Sequence, residues 1–220
     1  MPYIERASRV APHIMISGWD ETDFKLTESA LSKLKSKGVG SELINKIEQY
    51  SKNGKFVRID VTFRIGHSAK PVMTSSQMEK YEFQSQSDDF KLKGAFYLSK
   101  KPASKKGRQG TGAIINFDPS ESLDIVDGLP YKAGKYNEAF ICLAHELIHA
   151  YRFMKGNSLA GHGGDVQDSN SPIRDEENRV VGLGKYQERK ITENSIRKEH
   201  NLPLRKAYLM PAQKNNYILD

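Results

Sequence analysis

The chain has one cysteine, Cys142, among 220 residues. That excludes an intrachain disulfide and the thiolate clusters on which most structural zinc sites are built, so any metal must rest on imidazole and carboxylate groups. Cys142 lies in an apolar helical run, where a buried, inert thiol is expected. No apolar run approaches the ~20 residues needed to cross a bilayer, so no membrane span is expected. The first residues, "MPYIERASRVAPHIMISG", lack the apolar h-region and small-residue cleavage site of a secretory leader, so Sec-type export is not expected. No Gly/Ser- or Pro-rich linker cuts the chain into balanced halves, and no repeat occurs at solenoid periods. With 37% apolar and 28% charged residues, the composition is that of one folded globular domain.

The formal charge is +7, which admits nucleic acid, an acidic membrane surface or an acidic protein as partner and selects none of them. Its densest patch is "KKPASKKGRQG", with Lys100, Lys101, Lys105, Lys106 and Arg108. The interleaved Pro, Ser and Gly predict a solvated loop, with a docking surface for acidic substrate segments as the alternative.

Two amphipathic helices are predicted early. "TESALSKLKSKG" takes Thr27 as N-cap and Gly38 as stop, and "SELINKIEQYSKNG" takes Ser41 as cap and Gly54 as stop. "KFVRIDVTFRIG" switches to period two, with Val57, Ile59, Val61, Phe63 and Ile65 on one face of a strand. "GAFYLS" and "GAIINFDPS" predict further strands, and residues 66 to 92 predict loops. From Tyr136 to Gly156 the pattern is helical, with Ala139, Phe140, Leu143, Leu147 and Ala150 on one side. A Gly/Ser/Asn/Asp-rich loop follows, then a helix begun near Pro172, a helix in "ITENSIRKEHNLP" and an extended "LRKAYLM".

The chemistry is concentrated in "HELIHA". His145 and His149, four apart on a helix, project from one face and can each point a ring nitrogen at one tetrahedral ion. Glu146 beside them is placed to hold a water and take its proton, the arrangement of a metal-assisted amide hydrolase. A third ligand is needed. The metzincin spacing would put a histidine where Lys155 stands, which excludes that pattern. His162 and Asp165 fall in the mobile Gly-rich loop, and Glu193 lies further on. Glu176 and Glu177, on a predicted helix, are favoured as a pair, and rotation about the helix leaves open which of them faces the metal.

The segments "HELIHA", "EENRVVG" and "LRKAYL" resemble, in order, the zinc-binding, third-ligand and Arg-x-x-Tyr segments of the clostridial neurotoxin light chains. Val180 and Val181 depart from that family's T-F pair, while Gly182 is kept. Over residues 110 to 210 the chain resembles more closely the NleD-like type III secreted effector zinc metalloproteases, with their H-E-L-x-H, E-E-x-R-x-V-G, T-E-N and Arg-x-x-Tyr segments. The resemblance implies Glu177 as third zinc ligand with Glu176 as its supporting neighbour, and Glu193 as a carboxylate orienting Arg205 or a ligand histidine. It also implies Arg205 and Tyr208 as donors to the oxyanion of the tetrahedral intermediate, each such donor worth ~3 kcal/mol. It further implies one zinc ion, delivery through a type III system into the host cytoplasm, and proteolysis of a host signalling protein, mitogen-activated protein kinases being the targets of one branch.

The expectation is therefore an α+β, single-domain zincin-like metalloprotease with a small mixed sheet packed on the HExxH helix. Residues 1–25 form an N-terminal segment, a possible secretion signal, and 26–220 the protease domain. It is expected to be a monomer that acts on a host protein substrate and binds no nucleic acid. The competing reading is a basic nucleic-acid or phosphoprotein-binding module in which the HELIH helix is structural.

Overall fold

The computed structural model describes residues 3–101 and 109–210. Lys105, Lys106 and Arg108 of the expected basic loop lie outside that range. The core begins with β3 (Val57–Val61), in which Val57, Ile59 and Val61 are fully buried and Arg58 and Asp60 face outward. It pairs in parallel with β2 (Ile14–Gly18) on one side and with β5 (Gly112–Phe117) on the other. Antiparallel edges close both ends, β1 (Ile4–Ala7) on β2 and β4 (Ser68–Val72) on β5, giving the order β1-β2-β3-β5-β4. The expected alternation past Val61 does not continue as strand: Arg64 takes a φ of +67°, and Phe63 and Ile65 are exposed.

Under the sheet lies α5 (Ala139–Lys155), with nearly every residue buried. A helix covered on all sides needs no polar face, which is why its apolar residues are not confined to one stripe. Gly156 ends it in the left-handed conformation expected of a C′ glycine. Around it pack α1 (Glu21–Lys35), α2 (Gly38–Tyr50), α6 (Pro172–Val181) and α7 (Glu193–Glu199). The chain is thus a single α+β domain with a small mixed sheet over the HExxH helix.

Several expected boundaries are corrected. Helix α1 begins at Glu21, because the Asp20 side chain accepts the amides of Thr22 and Asp23; Thr27 sits buried within it. The expected division at residue 25 falls inside this helix, and residues 4–18 supply two strands of the sheet. Helix α2 begins at Gly38, with no cap from Ser41. The Glu199 carboxylate, from α7, accepts the amides of Val39 and Gly40 at 2.7 and 2.9 Å, a cap that only tertiary structure can bring. Residues 66–92, expected as loops, hold β4, the capping-box helix α3 (Ser75–Lys80) and the start of α4 (Asp88–Ser99). "GAFYLS", expected as a strand, is the second half of α4: Ser87 caps it, Asp88 and Asp89 suit its first turn, and a six-residue apolar run carries no period of its own. A hairpin, β6 (Ser122–Val126) and β7 (Leu129–Ala133), was not expected, although Asp127-Gly128, both at positive φ, is a strong two-residue hairpin turn.

Candidate metal centre and active site

Helix α5 carries His145 and His149 on one face, and α6 crosses its flank to bring in Glu177. Nε2 of His145 and Nε2 of His149 are 3.2 Å apart, and Oε2 of Glu177 lies 3.1 and 3.2 Å from them. All three groups are nearly buried. On its other ring nitrogen, His145 Nδ1 lies 2.9 Å from Oε2 of Glu193, and the tautomer that donates this proton leaves Nε2 as a lone pair. Three lone-pair atoms then face one point, and a single proton cannot satisfy all of them, whereas a cation of N/O preference can. The donor set therefore fits a divalent metal. Without a cation, burial opposes protonation of His145, but hydrogen bonds to Glu177 and Glu193 outweigh it and push the imidazole up to about 10. Burial likewise opposes ionisation of Glu177, and His149 and His145 hold it well below the usual carboxylate range.

Glu177 rather than Glu176 reaches the histidines. Glu176, expected to support the site, turns the other way. Its Oε2 accepts the Leu159 amide at 3.1 Å, and its carboxylate lies 3.4 Å from Arg152 Nε and 3.5 Å from Arg179. It pins α6 to the end of α5 and touches none of the three donors. His162 stands 3.7 Å from Asp89, and Asp165 accepts the amide of Gln167, so neither joins the set.

Glu193 is almost fully buried and completely engaged: His145 and Arg205 Nη1 (2.8 Å) meet Oε2, and Arg197 Nε donates to Oε1 at 2.7 Å. Those cations hold it well below the usual carboxylate range although burial pushes the other way. Arg205, expected to face the oxyanion, also donates from Nε to the Ala207 carbonyl at 3.2 Å and from Nη2 to the carbonyl of Tyr208. Its contacts fix the backbone that presents Tyr208, whose ring lies 6.3 Å from that of His145. The Tyr208 hydroxyl donates no hydrogen bond among the described residues, and burial, with Glu177 and Glu146 beside it, pushes its ionisation up, so it remains a donor.

The sequence reading missed the residues that hold this arrangement. Thr192 caps α7 by accepting the Ser195 amide at 3.0 Å, and its side chain packs on Gly182, which has a φ of +88° and where a Cβ would lie 2.8 Å from the Thr192 hydroxyl. Asn194 clamps the Arg205 backbone, accepting its amide and donating to its carbonyl, both at 2.8 Å. Arg197 is buried against Glu193. The cue was present: a Thr cap followed by a Glu and Arg four apart.

Glu146 is buried, lines a cavity of about 360 Å³ together with His145, Tyr208 and His67, and has no hydrogen-bond partner among the described residues. Burial raises its pKa, with His145 and His149 opposing. A buried carboxylate facing an open cavity beside a triad of ligand atoms is suited to proton transfer. Cys142 lines the same cavity, and burial pushes its thiol up to about 12, which disfavours the thiolate.

A family model for M91 peptidases, described as effector proteins, matches residues 13–208. The chain belongs to the M91 peptidase family. No curated protein matches this M91 peptidase. Among solved structures it is similar to the catalytic domain of Clostridium botulinum neurotoxin serotype F, at 12% identity and TM-score 0.49, covering 85% of this chain and 67% of that one. The botulinum neurotoxin type G light chain gives 12% and 0.42, over 90% and 61%. The serotype HA light chain gives 12% and 0.43, over 86% and 52%. This M91 peptidase thus spans about half to two-thirds of the length of those chains. No helix among its described residues is long and apolar enough to cross a membrane.

Proposed function

We propose that the chain is a zinc-dependent endopeptidase. The observation that carries this is the convergence of His145 Nε2, His149 Nε2 and Glu177 Oε2 beside the unpartnered carboxylate of Glu146. His145, His149 and Glu177 would hold the ion, which supplies Lewis acidity toward a peptide carbonyl and toward water. Glu146 takes the proton from the attacking water and passes it to the leaving amine. Tyr208 donates its hydroxyl hydrogen to the developing oxyanion. Arg205 acts as a positioning residue, since its donors are turned to Glu193 and to the backbone around Tyr208. Glu193 orients His145 and keeps its Nδ1 protonated.

The family's description as effector proteins supports action inside a host cell. Delivery by a type III system, a monomeric state, a host signalling protein as substrate and mitogen-activated protein kinases as the class to test first all rest on the sequence resemblance. A nucleic-acid module with a structural HELIH helix is disfavoured, because such a helix has no use for a buried carboxylate left unpaired. Metal analysis tests the proposal: the purified chain carries about one zinc, His149→Ala loses it, and Glu146→Ala retains it while cleaving no protein in a host lysate followed by mass spectrometry. Wild type without zinc, or a Glu146→Ala chain that still cleaves, overturns the reading.

A further inference from the structure

On the far side of α5 from the catalytic cavity lies a second recess of about 210 Å³ between α2, α5, α6 and the segment before α7. Arg152 and Arg179 form its floor, each only 4% exposed. A buried guanidinium ordinarily spends its five donors on carboxylates and carbonyls. Arg152 donates no hydrogen bond to any described residue; its nearest anion is Glu176 at 3.4 Å, and its Nε is buried without a partner, as is the Nε of Arg179. Burial pulls Arg152 down to about 10 against the attraction of Glu176, and Arg179 and Arg189 add to the effect.

The walls increase the imbalance. Lys155, Arg189 and Lys46 line the recess, and none of them pairs with a carboxylate among the described residues; Lys190 is taken by Glu42 at 2.5 Å. Glu176 is shared between the two arginines, and Glu42, the carboxylate among the described lining residues, is engaged by Lys190. Arg179 spends Nη1 on the Asn157 carbonyl at 2.9 Å and on Glu176, but the buried Nε of both arginines lacks a partner, and these planar donors below flexible ammonium groups match a tetrahedral oxyanion with several acceptor oxygens. A recess of this volume has room for a phosphate group and a small part of the molecule bearing it, and too little for a flat macromolecular surface.

We propose that this recess binds a phosphate group carried by a small soluble molecule, with Arg152, Arg179, Arg189 and Lys155 as its donors. The placement gives the ligand a role. Arg152 follows His149 on α5, Arg179 follows Glu177 on α6, and Arg189 precedes Glu193, so one anion ties together the three segments that build the catalytic site. The binding site itself does not depend on the peptidase reading: a chain that proved inactive or free of zinc would still respond to the anion.

The test is thermal unfolding of the full chain in increasing inorganic phosphate, against sodium chloride of matched ionic strength. Near saturation the midpoint rises on the order of 5 °C beyond the chloride control. The variant Lys155→Ala/Arg189→Ala alters only side chains outside the core, folds like wild type and loses most of that rise. Arg152→Met removes it as well. No rise beyond chloride overturns the proposal. So does an equal rise in Lys155→Ala/Arg189→Ala, which retains the zinc ligands and would reveal phosphate acting at the metal or nonspecifically.

Discussion

Two neighbouring, nearly buried carboxylates, Glu146 and Glu177, end with opposite tendencies. Both are pushed up by burial, but Glu177 touches both imidazoles and is drawn well below the usual range, while Glu146 touches neither closely enough and stays high. The first suits a ligand and the second a proton acceptor. Tyr208, kept protonated, donates its hydroxyl to no described residue. Tyr208→Phe is therefore expected to lower kcat about 100-fold with zinc content unchanged; unchanged turnover would remove the hydroxyl from the mechanism. Glu193 is depressed by Arg205, His145 and Arg197 against the opposing effect of its burial. A depressed carboxylate stabilises the fold above its ordinary range, and that contribution disappears as pH falls below the range. The urea midpoint of wild type should fall steeply below about pH 4.5, and Glu193→Gln should start roughly 3 kcal/mol less stable at pH 7 with a shallower acid decline. Parallel curves for the two proteins would exclude this role.

At the scale of elements, the site depends on how α6 and α7 are joined. The chain leaves α6 through Gly182 at a φ of +88°, and Thr192 packs against that glycine before capping α7, which begins with Glu193. Gly182→Ala strains the backbone and drives a methyl into Thr192. A cost of roughly 2 kcal/mol or more is expected, about 4–8 °C in Tm, with reduced zinc retention because Glu193 moves with Thr192. Calorimetry with metal analysis checks both, and a fully stable variant would show that the contact is dispensable. The hairpin β6-β7 contributes at the same scale: the Gly128 carbonyl at its turn accepts the Lys206 amide at 2.7 Å and so anchors the segment carrying Arg205 and Tyr208.

For the whole molecule, three buried donor atoms from two helices, backed by Glu193 from a third, converge on one point. Removing the cation should loosen the packing of α5, α6 and α7 together. A chelator is expected to lower Tm by at least about 5 °C, restored by one equivalent of zinc and not by magnesium. Melting indifferent to chelator would count decisively against a metal at this site.

The sequence alone determined the helix of the HExxH motif, its glycine stop, β3, β5 and α6. These are long or sharply punctuated patterns whose period is read from neighbours in the chain. It also named His145 and His149, because a spacing of four on a helix is local geometry, whereas Glu177 was singled out only by the family resemblance. It could not determine α4 or β4, where short runs carry no period, nor the start of α2, whose cap comes from Glu199. The partition between Glu176 and Glu177, one to the histidines and one to Arg152 and Arg179, was decided only by the angle at which α6 lies on α5, and so was the turning of Arg205 toward Glu193. Those outcomes depend on contacts between segments far apart in the chain, and a side chain's role there is set by which partner packing brings within 3 Å.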